Sequence, residues 1–238
     1  MLNLYVTSSR KKYGKTFITA GLAATMQSLG YATGVYKPIQ TSGIERGGFT
    51  QSPDLTYIKT LDPYINTAFT YLYKSSDEPL ISSENENDYI DINIIHREYL
   101  RLSSSTDCTI IDGDSGILSP VAPNVQNIDI IKKLNVPVLI ITEPHEDSIN
   151  DTLMTIRVLE TKEIPIRGVI INNIYDDCPK DLLVSLPRII EEYTNVKILG
   201  LVPHIKVPAA PEDIITAILN GIDIESVFNV KIEKLEIS

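Results

Sequence analysis

The stretch LNLYVTSSRKKYGKT, residues 2–16, joins an apolar, strand-like run to a helical segment through a polar loop ending in Gly14-Lys15-Thr16. A loop in this position suits a phosphate group. Backbone N–H groups and a helix N-terminus face the anion, the lysine reaches the terminal phosphates, and the threonine hydroxyl can bind magnesium. The competing reading is an ordinary strand–turn–helix with a chance Gly-Lys-Thr. Position at the end of the first strand favours the phosphate loop. Ser9 stands where such loops commonly open on glycine, and Arg10, Lys11 and Lys12 fill positions that are often small or acidic.

Outward from this loop, short runs rich in Val, Ile and Leu alternate with segments of helical period. Strands are predicted at Leu2–Ser8, Thr33–Ile39, Cys108–Gly113, Val136–Thr142, Gly168–Asn173 and Lys197–Val202. Helices are predicted at Lys15–Leu29, Ile92–Ser103, Ile128–Leu134, Ile149–Glu160, Lys180–Tyr193 and Pro211–Asn220. Nearly continuous apolar strands are those covered on both faces, and alternation with helices predicts a parallel sheet. The expected fold is a doubly wound, mostly parallel α/β sheet of the P-loop nucleotide hydrolase type, with residues 1–238 as one domain. Residues 40–88 read as irregular, and the tail after Gly221 reads as a short appended element.

Composition narrows the classes of function. The chain has 238 residues, 43% of them hydrophobic, and a net charge of -10. That surface disfavours nucleic acid as the main partner, since phosphate backbones need a basic face. No apolar run approaches the ~20 residues that span a bilayer. The N-terminus lacks the pattern of a secretory signal. Cys108 and Cys178 form no Cys-x-x-Cys pair, and His96, His145 and His204 show no metal-ligand spacing. A cytosolic protein acting on a small molecule is expected.

Four more segments end predicted strands or follow them. Lys37, in Tyr36-Lys37-Pro38-Ile39-Gln40-Thr41, can neutralise phosphate or carbamate oxygens, or stand as a solvated lysine; Pro38 is expected to end the ladder. Asp54 can cap the helix that follows, as can Ser52, or hold magnesium with Thr16. Asp112, in Ile110-Ile111-Asp112-Gly113-Asp114-Ser115-Gly116, resembles a Walker B acid, with an Asp-Gly turn as the alternative. Asn172, closing Gly168-Val169-Ile170-Ile171, can read an adenine edge or simply end a strand.

Taken in order, these segments resemble the dethiobiotin synthetase family from about Leu2 to about Pro211. The family loop, Gly-Thr-Asp-Thr-x-Val-Gly-Lys-Thr after Val-Thr, aligns with Ser8 to Thr16 after Val6-Thr7. Lys37-Pro38-Ile39-Gln40-Thr41, Asp54, Asp112 to Gly116 with Pro120, Pro137 to Ile141 with Ile149-Asn150, Gly168 with Asn172, and Leu199-Gly200 with Pro203 match the remaining motifs. The resemblance implies a homodimer that uses ATP, magnesium, CO2 and 7,8-diaminopelargonate to make a cyclic urea. It implies Lys15, Lys37 and Thr41 as catalytic residues, and Thr16, Asp54 and Asp112 as magnesium ligands. Nucleotide contacts would come from Lys12, Tyr13, Gly14, Lys15, Thr16, Phe17, Asn172 and Pro203. Substrate contacts would come from Thr41, Ser148, Ile149 and Asn150.

This chain departs from the family at several points. Ser8 replaces a glycine, Arg10-Lys11-Lys12 inverts the loop's charge, and Asp112 is shorter than the family glutamate. Glu146 and Asp147 stand where the family is small and neutral. These two acids are expected to face solvent, with a Lys or Arg of a second subunit offsetting them. The alternative readings are a paralogue of the cobyrinate amide-synthase kind and a partition or positioning ATPase.

Overall fold

The computed structural model describes residues 1–114 and 116–232; Ser115 of the acid–glycine motif and the last six residues of the expected domain lie outside the described residues. In chain order the elements are β1 (Leu2–Ser8), α1 (Lys15–Ser28), β2 (Thr33–Gln40), β3 (Ile44–Arg46), β4 (Phe49–Gln51), α2 (Pro53–Leu61), β5 (Asn66–Leu72), α3 (Pro79–Glu86), α4 (Ile92–Ser103), β6 (Cys108–Asp112), β7 (Pro120–Ala122), β8 (Val125–Gln126), α5 (Asn127–Leu134), β9 (Val138–Thr142), α6 (Ser148–Thr161), β10 (Ile166–Ile174), α7 (Lys180–Tyr193), β11 (Ile198–Pro203), α8 (Pro211–Gly221) and α9 (Ile224–Phe228). The six predicted strands and six predicted helices are all present, with ends that coincide or differ by one or two residues.

Seven strands form one sheet in the order β11-β10-β9-β1-β6-β2-β5, and every neighbouring pair is parallel. The side-chain period of two sends alternate residues to opposite faces. Tyr5, Tyr36, Ile111, Val138, Ile140, Val169 and Ile171 pack on one face with residues of α4, α5, α6 and α7. Leu4, Val6, Val35, Ile110, Leu139, Ile141 and Ile170 pack on the other with residues of α1, α2, α8 and α9. A strand buried on both sides has no polar face to show, which is why these segments read as continuous apolar runs.

The segment 40–88 is more ordered than its composition implied. It holds the β3–β4 hairpin, α2, the edge strand β5 and α3. Ser52 caps α2 through its hydroxyl, which accepts from the Leu55 amide, and Pro53 occupies the first turn. Pro38 does not end its strand. The β2 ladder to β6 stops at Tyr36, but the ladder to β5 runs on through Ile39 and Gln40, so the residue without an N–H sits where β2 has a neighbour on one side only. No helix among the described residues is long and apolar enough to cross a membrane.

One contact fixes how β6 leaves the sheet. A Cβ on Gly113 would lie 2.2 Å from a ring atom of Tyr5, whose side chain is buried. The chain after Asp112 passes against that ring only because residue 113 has no side chain. Gly113→Ala is therefore expected to lower Tm by roughly 3–10 °C, from an overpacking cost of about 1–3 kcal/mol. Differential scanning calorimetry checks this, and an unchanged Tm would contradict the close approach.

Candidate active site

Strand register brings three distant residues together. Val6 on β1 pairs with Asp112 on β6, and Tyr36 on β2 pairs with Ile111 on β6. Asp112 therefore ends its strand between the loop that follows β1 and Lys37, the residue after Tyr36. The Asp112 side chain is fully buried. Lys15 Nζ donates to its Oδ1 at 2.7 Å and Lys37 Nζ to its Oδ2 at 2.9 Å. The hydroxyls of Thr16 and Thr19 approach the same two oxygens at 3.3 and 3.4 Å. Lys37 Nζ also meets Asp54 Oδ2 at 2.7 Å, so the helix capped by Ser52 delivers a second carboxylate to the same ammonium.

Burial opposes charge on all three inner groups, but partners decide the outcome. Burial pushes the Asp112 pKa up, yet Lys15 and Lys37 outweigh it and hold the acid at about 2. Burial also works against the Lys37 ammonium, yet Asp112 and Asp54 raise its pKa well above the ordinary lysine value. Lys15 goes the other way: burial lowers its pKa, Asp112 pulls it back in part, and the like charge of Lys37 lowers it again. The inner cluster sets two cations, Lys15 and Lys37, against the buried Asp112 and against Asp54 at the cavity wall.

The loop itself is shaped by two left-handed residues, Lys12 at φ 70° and Gly14 at φ 72°. Such turns gather successive N–H groups into an anion-binding concavity. A Cβ on Gly14 would lie 2.2 Å from Asn172 Nδ2, and that amide donates to the Tyr13 carbonyl at 3.1 Å. Asn172 is thus buried beneath the loop at the end of β10, with its Oδ1 unpartnered. The next residue, Asn173, donates to Glu143 at 2.9 Å and meets His204, whose ring stacks on Tyr175 at 4.1 Å.

A cavity of about 460 Å³ opens above the cluster, lined among others by Lys12, Gly14, Lys15, Thr16, Phe17, Lys37, Thr41 and Asp54. Eight of the residues singled out from sequence thus share one space, with Asp112 under its floor. Asn172, Pro203, Ser148, Ile149 and Asn150 do not line it. Pro203 is exposed at the end of β11. Ser148 is buried at the start of α6, 3.3 Å from the Tyr13 hydroxyl, and Asn150 is exposed.

Ser76, Asp77 and Pro79 also line the cavity, from the segment between β5 and α3. Sequence reading missed them. The signals available were the strand-forming run Asn66–Leu72 and the helix-opening Pro79.

Glu146 and Asp147, at the start of α6, are exposed, as expected. Asp147 Oδ2 pairs with Arg10 of the same chain at 3.1 Å, and Asp151 Oδ2 pairs with that guanidinium at 2.8 Å. A cation of the chain's own loop meets Asp147. The reason is the short span between β1 and β9, which are adjacent strands.

A glycine-containing loop after β1, a lysine on a buried strand-end acid and a doubly wound parallel sheet define a P-loop nucleotide hydrolase fold. The family model described as "AAA domain" matches residues 2–212. The fold is similar to that of the septum site-determining protein MinD complexed with Mg-ADP from Pyrococcus horikoshii, with a TM-score of 0.57 at 16% identity over 90% of this chain and 85% of that one. Among curated proteins, the chain is 30% identical to the ATP-dependent dethiobiotin synthetase of Nitrosopumilus maritimus over 87% of this chain and 90% of that relative. It is 31% identical to the corresponding synthetase of Brachyspira hyodysenteriae over 84% and 90%. The chain belongs to the dethiobiotin synthetase family of ATP-dependent ligases.

The charge cluster generates a stability prediction. Asp112 has its pKa depressed on folding, so its contribution is present above the ordinary carboxylate value near ~3.9 and is lost as pH falls through about 2. Asp112→Asn leaves two buried ammoniums without their shared anion, which should cost on the order of 3–5 kcal/mol at neutral pH. The loss should shrink as pH is lowered from 4 to 2. Urea unfolding across that range tests both the size and the pH dependence.

Proposed function

We propose that this protein is a dethiobiotin synthetase that converts ATP, CO2 and 7,8-diaminopelargonate to a cyclic urea, ADP and phosphate. One observation carries the reading: Lys15 and Lys37 converge on Asp112 at the floor of a cavity whose wall is the phosphate loop. Family membership supplies the substrate, and the cluster supports the chemistry.

An amine of the substrate takes up CO2 and releases a proton, giving a carbamate. A carbamate oxygen attacks the γ-phosphorus of ATP, and ADP leaves. The second amine then attacks the carbamoyl carbon and gives up a proton, and phosphate leaves as the ring closes. Each step gathers negative oxygens near one point. Lys15, at the start of α1, would meet the transferring phosphoryl group, and Lys37 would meet the carbamate or phosphoryl oxygens between it and Thr41. Both are held in place before any ligand arrives, so little reorganisation accompanies the step. Lys12, Tyr13, Gly14, Thr16 and Phe17 would cradle the phosphates. Asn172 and Pro203, at the ends of β10 and β11, would border the base; the unpartnered Asn172 Oδ1 is an acceptor in want of a donor.

The residues fit magnesium. Two carboxylates and a hydroxyl are hard oxygen donors, and Asp54 and Asp112 already converge on one cation, the Lys37 ammonium. Magnesium is commonly held by one or two carboxylates together with phosphate oxygens. Thr16, Asp54 and Asp112 would hold it, and it would neutralise phosphate charge when bound.

Ser148, Ile149 and Asn150, in the first turn of α6, would take the substrate carboxylate through backbone N–H groups, in a site shared across a homodimer. The reading includes a cytosolic setting.

The test is phosphate release with ATP, magnesium and bicarbonate, with and without 7,8-diaminopelargonate. Release should require the diamine. Equal release without it would reject the synthetase reading. Lys15→Ala should lose most ATP affinity or turnover. Unchanged values would remove the phosphate loop from the account. Asp54→Asn should raise the magnesium concentration needed for half-maximal rate by roughly tenfold, about 1.4 kcal/mol of metal binding; an unshifted magnesium titration would exclude it as a ligand.

A further inference from the structure

The phosphate loop and the first turn of α6 are joined by a polar seam. Arg10 Nη2 reaches Asp147 Oδ2 at 3.1 Å and Asp151 Oδ2 at 2.8 Å. Beside it, the Tyr13 hydroxyl meets Ser148 Oγ at 3.3 Å. Deeper still, Ser9 Oγ donates to Thr142 Oγ1 at 3.2 Å, and Thr152 Oγ1 donates to the same oxygen at 3.0 Å. Asp147 and Asp151 are four residues apart, so they share one face of α6, and both turn to the one guanidinium. The side-chain exposures of 59% for Asp147 and 19% for Asp151 make the second pair the better shielded.

Two departures from the family pattern thereby become one. The loop carries a cation at residue 10 where the family has an acid, and α6 opens on acids where the family is neutral. Each change alone would place an unmatched charge beside an anion-binding element. Together they offset one another in part, one guanidinium against two carboxylates. Asp147, the N-cap residue of α6, makes no side-chain cap hydrogen bond and is turned to Arg10 instead of to the first-turn amides. The first-turn N–H groups are therefore left uncapped by Asp147, and the repulsion that the two acids would exert on an outside anion is reduced.

We propose that Arg10 is a positioning residue that makes the first turn of α6 fit for an anionic substrate group, by drawing Asp147 and Asp151 aside and offsetting part of their charge. It acts through these two acids and touches no reacting atom. The same contact ties the loop that takes the nucleotide to the turn that takes the substrate. The inference rests on the reading that the substrate carboxylate binds at that turn.

The test compares wild type, Arg10→Gln, Arg10→Lys and the triple variant Arg10→Gln/Asp147→Asn/Asp151→Asn by titration calorimetry, with 7,8-diaminopelargonate and with ATP as separate ligands. A like charge left within ~5 Å of a carboxylate weakens binding by roughly tenfold or more. Arg10→Gln should therefore bind the diamine roughly tenfold more weakly, with ATP affinity changed less than about threefold. Arg10→Lys should keep most of the affinity, and the triple variant should return to near wild type. Unchanged diamine binding in Arg10→Gln would overturn the proposal. So would a parallel loss of ATP binding that the triple variant does not restore, which would mark Arg10 as a support of loop shape alone. A wild-type protein that binds ATP but not the diamine would instead remove the synthetase reading, and this inference with it.

Discussion

A carboxylate taken fully out of water must find partners, and Asp112 finds two ammoniums. The cost of burying an isolated charge runs to several kcal/mol, so this group can exist at the end of β6 only with Lys15 and Lys37 in contact. The need is mutual, since neither lysine would hold its charge as deeply buried without the acid. The phosphate loop, the end of β6 and the end of β2 are thereby pinned to one another. Asp54 joins through Lys37 and ties α2 to the same point. The cluster is a charged floor built before any ligand binds, two ammoniums against two carboxylates.

Around this floor the loop is held by neighbouring side chains as well as shaped by Gly14. Ser8 and Ser9 occupy places where small flexible residues are common, and Lys12 accepts a left-handed backbone that costs a side-chain-bearing residue of order 1 kcal/mol. Neighbouring side chains compensate. Arg10 is bound by Asp147 and Asp151 on one flank, and Lys11 pairs with Glu78 on the other. Asn172 supports the loop from beneath. These flanking pairs are largely exposed and individually weak. Their value is positional, because together they set the middle of the loop between α6 and the start of α3.

The same pairs explain why a basic loop can coexist with an acidic protein. Arg10 and Lys11 spend their charge on acids of the same chain. The cations left to a ligand are those nearest the buried acid, together with Lys12 at the cavity wall. A net charge of -10 over the whole chain therefore says little about the potential inside the cavity.

The order of apolar runs and helical segments was enough to determine the doubly wound parallel sheet. A strand covered on both faces leaves a run of Val, Ile and Leu that few other structures require. Gly14-Lys15-Thr16 after the first run was enough to determine where phosphate would sit, because that chemistry depends on local backbone. Asp112 and Lys37 were legible as strand-end residues, but their meeting was not; it follows from the pairing of β1 and β2 on either side of β6. Asn172 was legible as a polar strand end, and only packing placed it under the loop. The edge strand β5 and helix α3 were hidden because Gly, Ser and Asp nearby read as loop, while long-range pairing with β2 overrode that local preference. The exchange of charge between Arg10 and the acids of α6 lay furthest from the sequence. Those residues are separated by more than a hundred positions, and only the adjacency of β1 and β9 brings their opposite charges within reach.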